Sequence, residues 1–178
     1  NNLGDHWIEN SLAIISIIVS LNKDVSSYIT KISKFSAVEG RGKILNVQYN
    51  KKKITLIDDS YNSSPESLKA SIIFLNRLGN KRRKICVLGD MYELGSFSKQ
   101  FHLNIKKILK DNKISNVYII GEKMRILFNT LPTSLECKHF ENLEELYMEL
   151  KKDIKNDDII LFKASRAIQL DKIIKKFC

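Results

Sequence analysis

From residue 44 onward, short runs of apolar residues alternate with longer segments in which apolar residues recur every three or four positions. The short runs are typical of buried strands and the longer segments of amphipathic helices. Repeated strand–helix units fold into a mostly parallel sheet with helices on both faces, because each helix returns the chain to start the next strand in the same direction. The sequence therefore predicts a Rossmann-like α/β fold for this part of the chain.

The first two strands of this region, 44–49 and 54–58, are close enough in sequence to predict a hairpin. The segments that follow them alternate in type. They are helix 65–78, strand 84–88, helix 98–112, strand 117–120, helix 122–129, strand 137–140, helix 142–154, strand 158–163 and helix 168–177.

The first 36 residues have a different pattern. Residues 8–21 predict a helix that is apolar nearly all round, which we expect to be buried against other protein, and a second helix follows at 24–34. The stretch SAVEGRGK, residues 36–43, contains two glycines and is typical of a domain boundary. We therefore expect two parts, residues 1–36 and residues 38–178.

The net charge of +10 admits two explanations, a nucleic-acid-binding surface or a solvated lysine-rich surface. Lysine supplies 24 of the 30 basic residues and arginine only 6, in scattered clusters. Proteins that read bases depend on arginine, which lysine does not replace. We therefore expect no nucleic-acid partner, and attraction to a small polyanion is the better interpretation of the charge.

Cysteine usage and hydropathy give an expected location. The three cysteines show no metal-binding or redox spacing, which suits a reducing compartment. The longest apolar run, LAIISIIVSL, is too short to span a bilayer. We therefore expect a cytoplasmic protein without membrane insertion.

Polar residues crowd the end of the predicted strand 54–58, in the stretch DDSYNSSP. Parallel sheets bind ligands at the carboxyl ends of their strands. Asp58 and Asp59 suit a ribose hydroxyl pair, and Tyr61 and Asn62 lie beside them. The alternative is local structure alone, since Ser64 before a proline is typical of a helix N-cap, but a cap does not explain the two carboxylates.

Two further polar clusters follow predicted strands. LGDMYELG places Asp90 and Glu93 between glycines, which indicates either a site or a turn with a capping aspartate. FKASRAIQL places Lys163, Ser165 and Arg166 where the last strand leads into a predicted helix. Backbone N–H groups and a cation there suit an anion, and the alternative is a capping serine with a solvated arginine.

Other catalytic patterns are absent from the sequence or weak. His6 and Asn10 lie four residues apart and share a helix face, which alone indicates little. The sequence contains no G-x-x-x-x-G-K-[ST] phosphate loop, no G-x-S-x-G elbow and no paired-histidine metal motif. No metal site is predicted within these residues.

Taken together, these stretches resemble the Mur ligases. The family patterns D-[DE]-[ST]-Y-N-A-N-P, [LM]-G-D-M-x-E-L-G and K-G-S-R-G are matched by DDSYNSSP, LGDMYELG and KASRA. The family's G-x-H…N-x-L-A helix and its G-R pair are matched by Gly4, His6, Asn10, Leu12, Ala13, Gly40 and Arg41. The chain departs from the family where Ser63 and Ser64 replace Ala-Asn and where Ala164 and Ala167 replace glycines.

The resemblance implies an ATP-dependent ligase of peptidoglycan precursor synthesis, and the branch it resembles most joins D-Ala-D-Ala to UDP-N-acetylmuramoyl-tripeptide through an acyl phosphate. It implies that residues 1–36 end a central ATPase domain and that residues 38–178 form a Mur ligase C-terminal domain. The phosphate loop, the ligands of Mg²⁺ and the UDP-binding domain are then expected upstream. The chain alone is expected to be inactive.

The resemblance also implies roles for individual residues. His6 and Asn10 are expected near the adenine, and Arg41 is expected to reach the phosphates when the domains close. Asp59, or else Asp58, is expected to hold the ribose, with Tyr61 and Asn62 beside it. The groups expected at the dipeptide are Asp90, Glu93, Lys163, Ser165 and Arg166.

Two other functions stay open from the sequence. One is a different ligase of the same superfamily, such as a folylpolyglutamate synthetase, against which LGDMYELG argues. The other is a nonenzymatic nucleotide- or nucleic-acid-binding module with a Rossmann-like sheet.

Overall fold

The computed structural model describes residues 5–34 and 38–178, with side chains described from residue 8 onward apart from residue 33. The chain divides into two compact units, Asn1–Val38 and Glu39–Cys178. The first unit is helical and the second contains the sheet.

The first unit consists of helix α1, Asp5–Ser20, and helix α2, Ser26–Ser33. The Asp24 carboxylate accepts hydrogen bonds from the backbone N–H groups of Ser26 and Ser27, which starts α2. The expected burial of the apolar helix against other protein is not met within the described part of this unit and stays a prediction. Ile18 is buried, but most apolar side chains of this unit are exposed: Ile8, Leu12, Ile14, Ile17, Val19, Leu21 and Ile29.

The second unit is built on a six-stranded sheet with the order β1-β2-β6-β3-β4-β5. Strands β2 to β6 are parallel, and β1 pairs antiparallel with β2 at one edge, as the predicted hairpin requires. The last strand along the chain, β6, is inserted between β2 and β3. The strands are β1 Lys43–Tyr49, β2 Lys52–Asp59, β3 Lys84–Gly89, β4 Asn116–Ile120, β5 Glu136–Phe140 and β6 Ile159–Lys163.

Five helices cover the sheet, three on one face and two on the other. Helices α3, α4 and α5 pack on one face, and α6 and α7 pack on the opposite face. The α/β fold with helices on both faces is thus confirmed. The helices are α3 Pro65–Gly79, α4 Ser98–Asp111, α5 Met124–Phe128, α6 Leu143–Asp153 and α7 Asp171–Phe177.

The central strands carry apolar side chains on both faces, because both faces are covered by helices. In β3, Ile85 and Val87 pack with α6 and α7, whereas Cys86 and Leu88 pack with α3, α4 and α5. All four side chains are fully buried. Each such side chain contributes about 1.5–3 kcal/mol by leaving water, so the two faces together hold the strands in register.

Ion pairs at the amino-terminal edge of the sheet tie β3 and β6 to the end of α6. Arg83 lies 2.6 Å from Asp158 and 3.2 Å from Asp153. Tyr118 of β4 donates its hydroxyl to Asp153 at 2.8 Å. This network anchors the edge of the sheet opposite to the one where the polar motifs lie.

One predicted helix begins later than expected. Residues 166–168 form a single 3-10 turn, and Gln169 then adopts a left-handed conformation with φ of 61°. Helix α7 starts only at Asp171, rather than at residue 168. The predicted helix 168–177 is present but begins three residues later than expected, and no α-helix N-terminus lies directly after Ser165.

Candidate functional site

The polar motifs converge at the carboxyl edge of the parallel strands. Asp59 of β2 and Lys163 of β6 are register partners, and Leu88 of β3 pairs with Lys163 from the other side. The loops after β2, β3 and β6 therefore begin side by side. Such an edge is where ligands bind in open α/β sheets.

Asp58 is buried, and its side chain is occupied by protein groups. One carboxylate oxygen accepts from the N–H of Gly40 at 2.9 Å, and the other accepts from the hydroxyl of Ser60 at 2.6 Å and from its N–H at 3.3 Å. The exposed fraction of Asp58 is only 2%. Of the two carboxylates predicted for the ribose, Asp58 is therefore the one that is unavailable to a ligand.

Asp59 is oriented differently and is held by Lys163. One carboxylate oxygen of Asp59 accepts from the Lys163 amine at 2.7 Å and from the hydroxyl of Ser71, on α3, at 2.5 Å. Its other oxygen makes no hydrogen bond to the described part of the chain, and its side chain is partly exposed. Asp59 is thus fixed in position with one acceptor left over.

Lys163 is one of the largest fully buried side chains, with an exposed fraction of 2%. Besides Asp59, its amine donates to the carbonyl oxygen of Asn62 at 3.0 Å. Burial lowers the pKa of Lys163, against the opposing effect of the Asp59 charge. The resemblance implied that Lys163 lies at the dipeptide, whereas in this structure its buried amine is held by Asp59 and Asn62 of the DDSYN stretch.

Arg41 and Tyr61 form an exposed stacked pair. The guanidinium carbon of Arg41 lies 4.3 Å from the centroid of the Tyr61 ring, a distance typical of a cation–π contact. Both side chains are exposed, unlike the neighbouring Asp58. The pair therefore presents a cation and an aromatic ring to solvent beside Asp59.

The rest of the DDSYNSSP stretch starts helix α3. Ser64 and Ser67 form a reciprocal capping box, and Pro65 occupies the first turn, as the sequence predicted. Asn62 is exposed, and its side-chain oxygen accepts from the N–H of Ser63. The hydroxyl of Ser63 is buried without a hydrogen-bond partner in the described structure.

The Asp90 side chain has a structural role. The sequence indicated either a ligand site or an aspartate that caps its own turn. Its carboxylate accepts from the N–H groups of Met124 at 2.8 Å and Lys123 at 3.3 Å, at the start of α5. Gly121 has φ of +110°, and a Cβ there would lie 2.4 Å from the Asp90 carboxylate. Asp90 is 2% exposed, so the prediction that its side chain contacts the dipeptide conflicts with its burial.

Ser165 joins the loops after β3 and β6. Its hydroxyl oxygen accepts from the N–H of Tyr92 at 2.9 Å, and its own N–H donates to the carbonyl oxygen of Asp90 at 3.0 Å. In the described part of the chain the Ser165 hydroxyl donates to no other group, although the residue is only 4% exposed. Glu93, in the same loop, is exposed and has a left-handed φ of 62°.

Arg166 is the most exposed cation of the KASR stretch, with 60% of its side chain accessible. One guanidinium nitrogen lies 3.2 Å from a carboxylate oxygen of Asp171, the first residue of α7. That Asp171 oxygen has no hydrogen-bond partner in the described structure, so the contact is an ion pair only, and most of the guanidinium stays accessible. Arg166 can therefore still bind an anion, as the sequence predicted for it.

The substitution of alanine for glycine at 164 is accommodated by a glycine on the next strand. A Cβ on Gly89 would lie 2.7 Å from the Cβ of Ala164, so the space next to Ala164 exists only because residue 89 has no side chain. Ser165 has φ of −65° and ψ of 149°, which any residue adopts. The alanine thus leaves the backbone at Ser165 unstrained.

The two residues predicted near the adenine belong to the first unit. Asn10 lies on α1 and is exposed, whereas the side chain of His6 lies outside the described residues. Their expected contacts with a nucleotide stay a prediction.

The sequence did not single out two residues that support the site. Ser71 is a polar residue two turns into α3, and its spacing from the N-cap Ser64 gives no signal of a bond to Asp59.

His102 on α4 is fully buried, and its ring nitrogen Nε2 accepts from the N–H of Met91 at 3.1 Å. Its other ring nitrogen contacts the carbonyl oxygen of Ser98 at 2.7 Å, so both ring nitrogens are held by backbone groups. In the sequence, the position of His102 on an amphipathic helix was the only indication that it supports the loop after β3.

The exposed groups at the carboxyl edge offer chemistry that suits a nucleotide. Arg41 offers N–H donors for phosphate, Tyr61 offers an aromatic face and Asp59 offers a free acceptor for hydroxyl groups. Among the described residues, no three histidine, cysteine, aspartate or glutamate side chains gather as a metal site would require. These residues therefore suit a phosphate-bearing ligand with hydroxyl groups, and the described ones include no set of ligands for a metal ion. In the described ranges, no helix combines the length and hydropathy needed to cross a membrane.

Comparisons with known proteins agree with this arrangement. Residues 40–166 match the family "Mur ligase, glutamate ligase domain". The chain is 31% identical over 169 residues to a UDP-N-acetylmuramoyl-tripeptide–D-alanyl-D-alanine ligase from Rickettsia prowazekii, a match that covers 95% of this chain and 36% of that protein. A ligase of the same name from Buchnera aphidicola is 33% identical, with 98% and 36% covered.

Solved structures show the same likeness. The crystal structure of the MurF ligase from Thermotoga maritima in complex with ADP aligns with a TM-score of 0.73 and 26% identity, over 92% of this chain and 35% of that one. A D-alanyl-D-alanyl ligase from Acinetobacter baumannii shares the fold with a TM-score of 0.81 at 22% identity, over 98% and 36%.

The chain spans about a third of the length of the curated relatives it matches. The family match covers well over half of its 178 residues and includes each strand end of the site described above. The chain therefore belongs to the Mur ligase family.

Proposed function

We propose that this chain is the C-terminal part of an ATP-dependent ligase that joins D-Ala-D-Ala to UDP-N-acetylmuramoyl-tripeptide in peptidoglycan precursor synthesis. Relatives that carry this name match nearly its whole length. In this proposal residues 1–36 end the central ATPase domain, and residues 38–178 form the C-terminal domain. The protein works in the cytoplasm, where the nucleotide-linked precursor is made.

The observation that carries the proposal is the bond from the Lys163 amine to Asp59. It ties the DDSYN and KASR stretches, which the resemblance assigns to the nucleotide and to the dipeptide, into one site at the end of neighbouring strands. A ligase needs this proximity, because the amine of the dipeptide must attack an acyl phosphate formed from ATP. Bringing two reactants together in a fixed geometry is itself a large part of such catalysis.

On the nucleotide side, we propose that Asp59 holds the ribose through its free carboxylate oxygen. Tyr61 and Asn62 lie beside it, and Arg41 contacts the phosphates. The exposure of these groups supports the assignment, as does the burial of Asp58. His6 and Asn10 of the first unit contribute near the adenine, and Mg²⁺ is held by residues of the upstream domain and neutralises phosphate charge.

On the dipeptide side, we propose that Arg166 binds the free carboxylate of D-Ala-D-Ala. An arginine fork forms two parallel hydrogen bonds with a carboxylate, and Ser165 has a hydroxyl proton to donate as a third. Glu93 lies exposed in the neighbouring loop and lines the same edge. Asp90 acts here by fixing the loop after β4, rather than by touching the dipeptide.

Closing the C-terminal domain over the central one would exclude water from the acyl phosphate. A site divided between two domains explains why so many hydrogen-bonding groups lie exposed at one edge of this unit. In isolation, the 178 residues are then expected to bind ATP weakly and to ligate nothing.

A ligation assay with the full-length protein tests the proposal. Mg-ATP, UDP-N-acetylmuramoyl-tripeptide and D-Ala-D-Ala should yield the UDP-linked pentapeptide by mass spectrometry, with one phosphate released per product. Phosphate release should fall to background when the dipeptide is omitted. Ligation of glutamate to a folate instead would establish the folylpolyglutamate synthetase alternative, and salt-sensitive DNA binding without ligation would favour a nucleic-acid-binding module.

A further inference from the structure

We infer that Asp58 is a positioning residue that aims Arg41, and that the two neighbouring aspartates thereby have separate tasks. The inference rests on the proposed function for the role of Arg41. Arg41 belongs to the lead-in segment, defined as residues 39–42, which precedes β1.

Three backbone groups of the lead-in segment bind it to the end of β2 and to the turn that follows. The N–H of Gly40 donates to the Asp58 carboxylate at 2.9 Å, and the N–H of Gly42 donates to the Asp58 carbonyl oxygen at 2.8 Å. In return, the N–H of Tyr61 donates to the carbonyl oxygen of Gly40 at 3.0 Å. Arg41 is therefore flanked on both sides by residues that are bonded to Asp58.

The close packing of Gly40 against Tyr61 supports the same attachment. Gly40 has φ of +78°, and a Cβ on it would lie 2.9 Å from the Cβ of Tyr61 and 3.2 Å from its backbone nitrogen. A residue with a side chain would meet both a strained backbone and a clash there. Glycine at 40 lets the segment lie directly against Tyr61, and the Arg41 guanidinium then lies 4.3 Å from the centre of that ring.

Asp58 is the only described side chain that bonds both ends of this arrangement. Its second carboxylate oxygen accepts from the N–H and the hydroxyl of Ser60, which fixes the turn that carries Tyr61. The carboxylate thus holds the segment under Arg41 and the turn under Tyr61 at once. Because the side chain is buried, these bonds are not weakened by competition with water.

The division of tasks predicts different kinetic effects from the two aspartates. Loss of Asp59 removes a group that contacts the nucleotide, so the KM for ATP should rise. Loss of the Asp58 carboxylate leaves the ribose contact of Asp59 in place and releases Arg41, which is expected to reach the phosphates only when the domains close, so turnover should fall. Misplacing a catalytic group by about 1 Å costs on the order of a hundredfold in rate.

The test is a double-mutant cycle in the full-length protein. Asp58→Asn keeps the shape of the side chain but presents an NH₂ group to one of its donors. We expect Asp58→Asn to lower kcat by about tenfold to a hundredfold while the KM for ATP stays within about threefold. In an Arg41→Ala background the same change should lower kcat by less than about twofold, because there is no guanidinium left to aim. Asp111→Asn, which removes a charge from an exposed position on α4, is the control and should leave kinetics unchanged.

A second variant addresses the risk that Asp58→Asn does not fold. Gly40→Ala leaves the carboxylate in place and displaces the lead-in segment, so it should reproduce the fall in kcat and lose its effect in the Arg41→Ala background. Equal losses with and without Arg41, for either variant that folds, would overturn the inference. A rise in the KM for ATP like that of Asp59→Ala would also overturn it.

Hydrogen exchange separates this inference from the proposed function, because it needs no turnover. Amide exchange in residues 39–42 should accelerate at least about tenfold in Asp58→Asn and stay unchanged in Asp111→Asn. If the full-length protein ligates no dipeptide, the proposed function fails and exchange alone decides whether Asp58 holds the segment. Unchanged exchange in Asp58→Asn would overturn the inference whatever the enzyme does.

Discussion

The amine of Lys163 lies 2.7 Å from a carboxylate oxygen of Asp59, although 104 residues separate the two along the chain. The lysine is buried and the aspartate is partly exposed, so the pair joins the interior of the sheet to its carboxyl edge. Removal of one partner from such a pair leaves the other charge with no compensation.

We therefore expect Lys163→Met to lower the free energy of unfolding by about 3 kcal/mol or less, since Asp59 keeps some access to water. In the full-length enzyme it should also raise the KM for ATP, by about tenfold, because Asp59 is no longer fixed. Lys172→Met, at an exposed position on α7, is the matched control. Thermal melting and steady-state kinetics would check both effects, and an unchanged KM for ATP would separate Lys163 from the nucleotide site.

A prediction for Arg166 distinguishes binding of the dipeptide carboxylate from structural support of the start of α7. If its guanidinium binds the dipeptide carboxylate, Arg166→Ala should raise the KM for D-Ala-D-Ala by at least about tenfold and leave the KM for ATP unchanged. Arg166→Lys should recover only part of the loss, because the fork geometry is gone.

Asp171→Asn serves as the control for Arg166, because it weakens the 3.2 Å ion pair without removing the guanidinium. We expect it to affect the dipeptide KM far less than Arg166→Ala does. Equal effects of the two changes, with dipeptide and ATP kinetics falling together, would mean that Arg166 only braces the start of α7.

Gly89 and Ala164 should behave as a reciprocal pair. Gly89→Ala places a methyl group 2.7 Å from that of Ala164 and 3.0 Å from Ile168, so we expect it to destabilise the fold by about 1–3 kcal/mol. Adding Ala164→Gly should recover most of that loss, as denaturant unfolding would show. A double variant no more stable than Gly89→Ala would mean that the strain lies elsewhere.

At the amino-terminal edge of the sheet, Asp153 is held by Arg83 and Tyr118. This arrangement predicts that the stability of the fold depends on pH. Burial alone would raise the pKa of Asp153, but the hydrogen bond from Tyr118 and the charge of Arg83 outweigh it and hold that pKa below its ordinary value. A carboxylate with a depressed pKa contributes stability above its unfolded pKa, and the contribution is lost as pH falls through the folded pKa.

Tyr118→Phe removes the hydroxyl that favours ionised Asp153, so we expect it to cost about 1–2 kcal/mol near neutral pH. The difference from the unmodified protein should shrink as the pH is lowered from neutral to about 2, because Asp153 takes up a proton as the pH falls through its depressed folded pKa. Tyr147→Phe, which removes a hydroxyl bonded to the neutral Tyr49, is the control and should show no such change between these pH values. A Tyr118→Phe difference that stays constant down to that pH would rule out Asp153 as its origin.

The alternation of apolar residues was enough to predict the sheet and its helices. Runs such as KICVLG are apolar on both faces and fix a buried central strand, and Ser64 with Pro65 marks the start of α3. The start of α7 was missed because Gln169, which is left-handed, is neither the glycine nor the asparagine that usually signals such a turn.

The site was predictable as a region but not residue by residue. The strand-end motifs located the carboxyl edge correctly. Nothing local distinguishes Asp58 from Asp59, because what separates them is a contact with Gly40, 18 residues earlier, and another with Lys163, 104 residues later. Burial of Lys163 was likewise unpredictable, because a lysine at a strand end is usually exposed.

The KM for ATP of Asp59→Ala in the full-length enzyme, measured at saturating dipeptide, tests the central claim most directly. If the carboxyl edge of this sheet holds the ribose through Asp59, that KM should rise by at least about tenfold, as expected for loss of hydrogen bonds to a charged group. The KM for D-Ala-D-Ala should stay within about threefold of its original value. An Asp59→Ala enzyme with an unchanged KM for ATP would contradict the account.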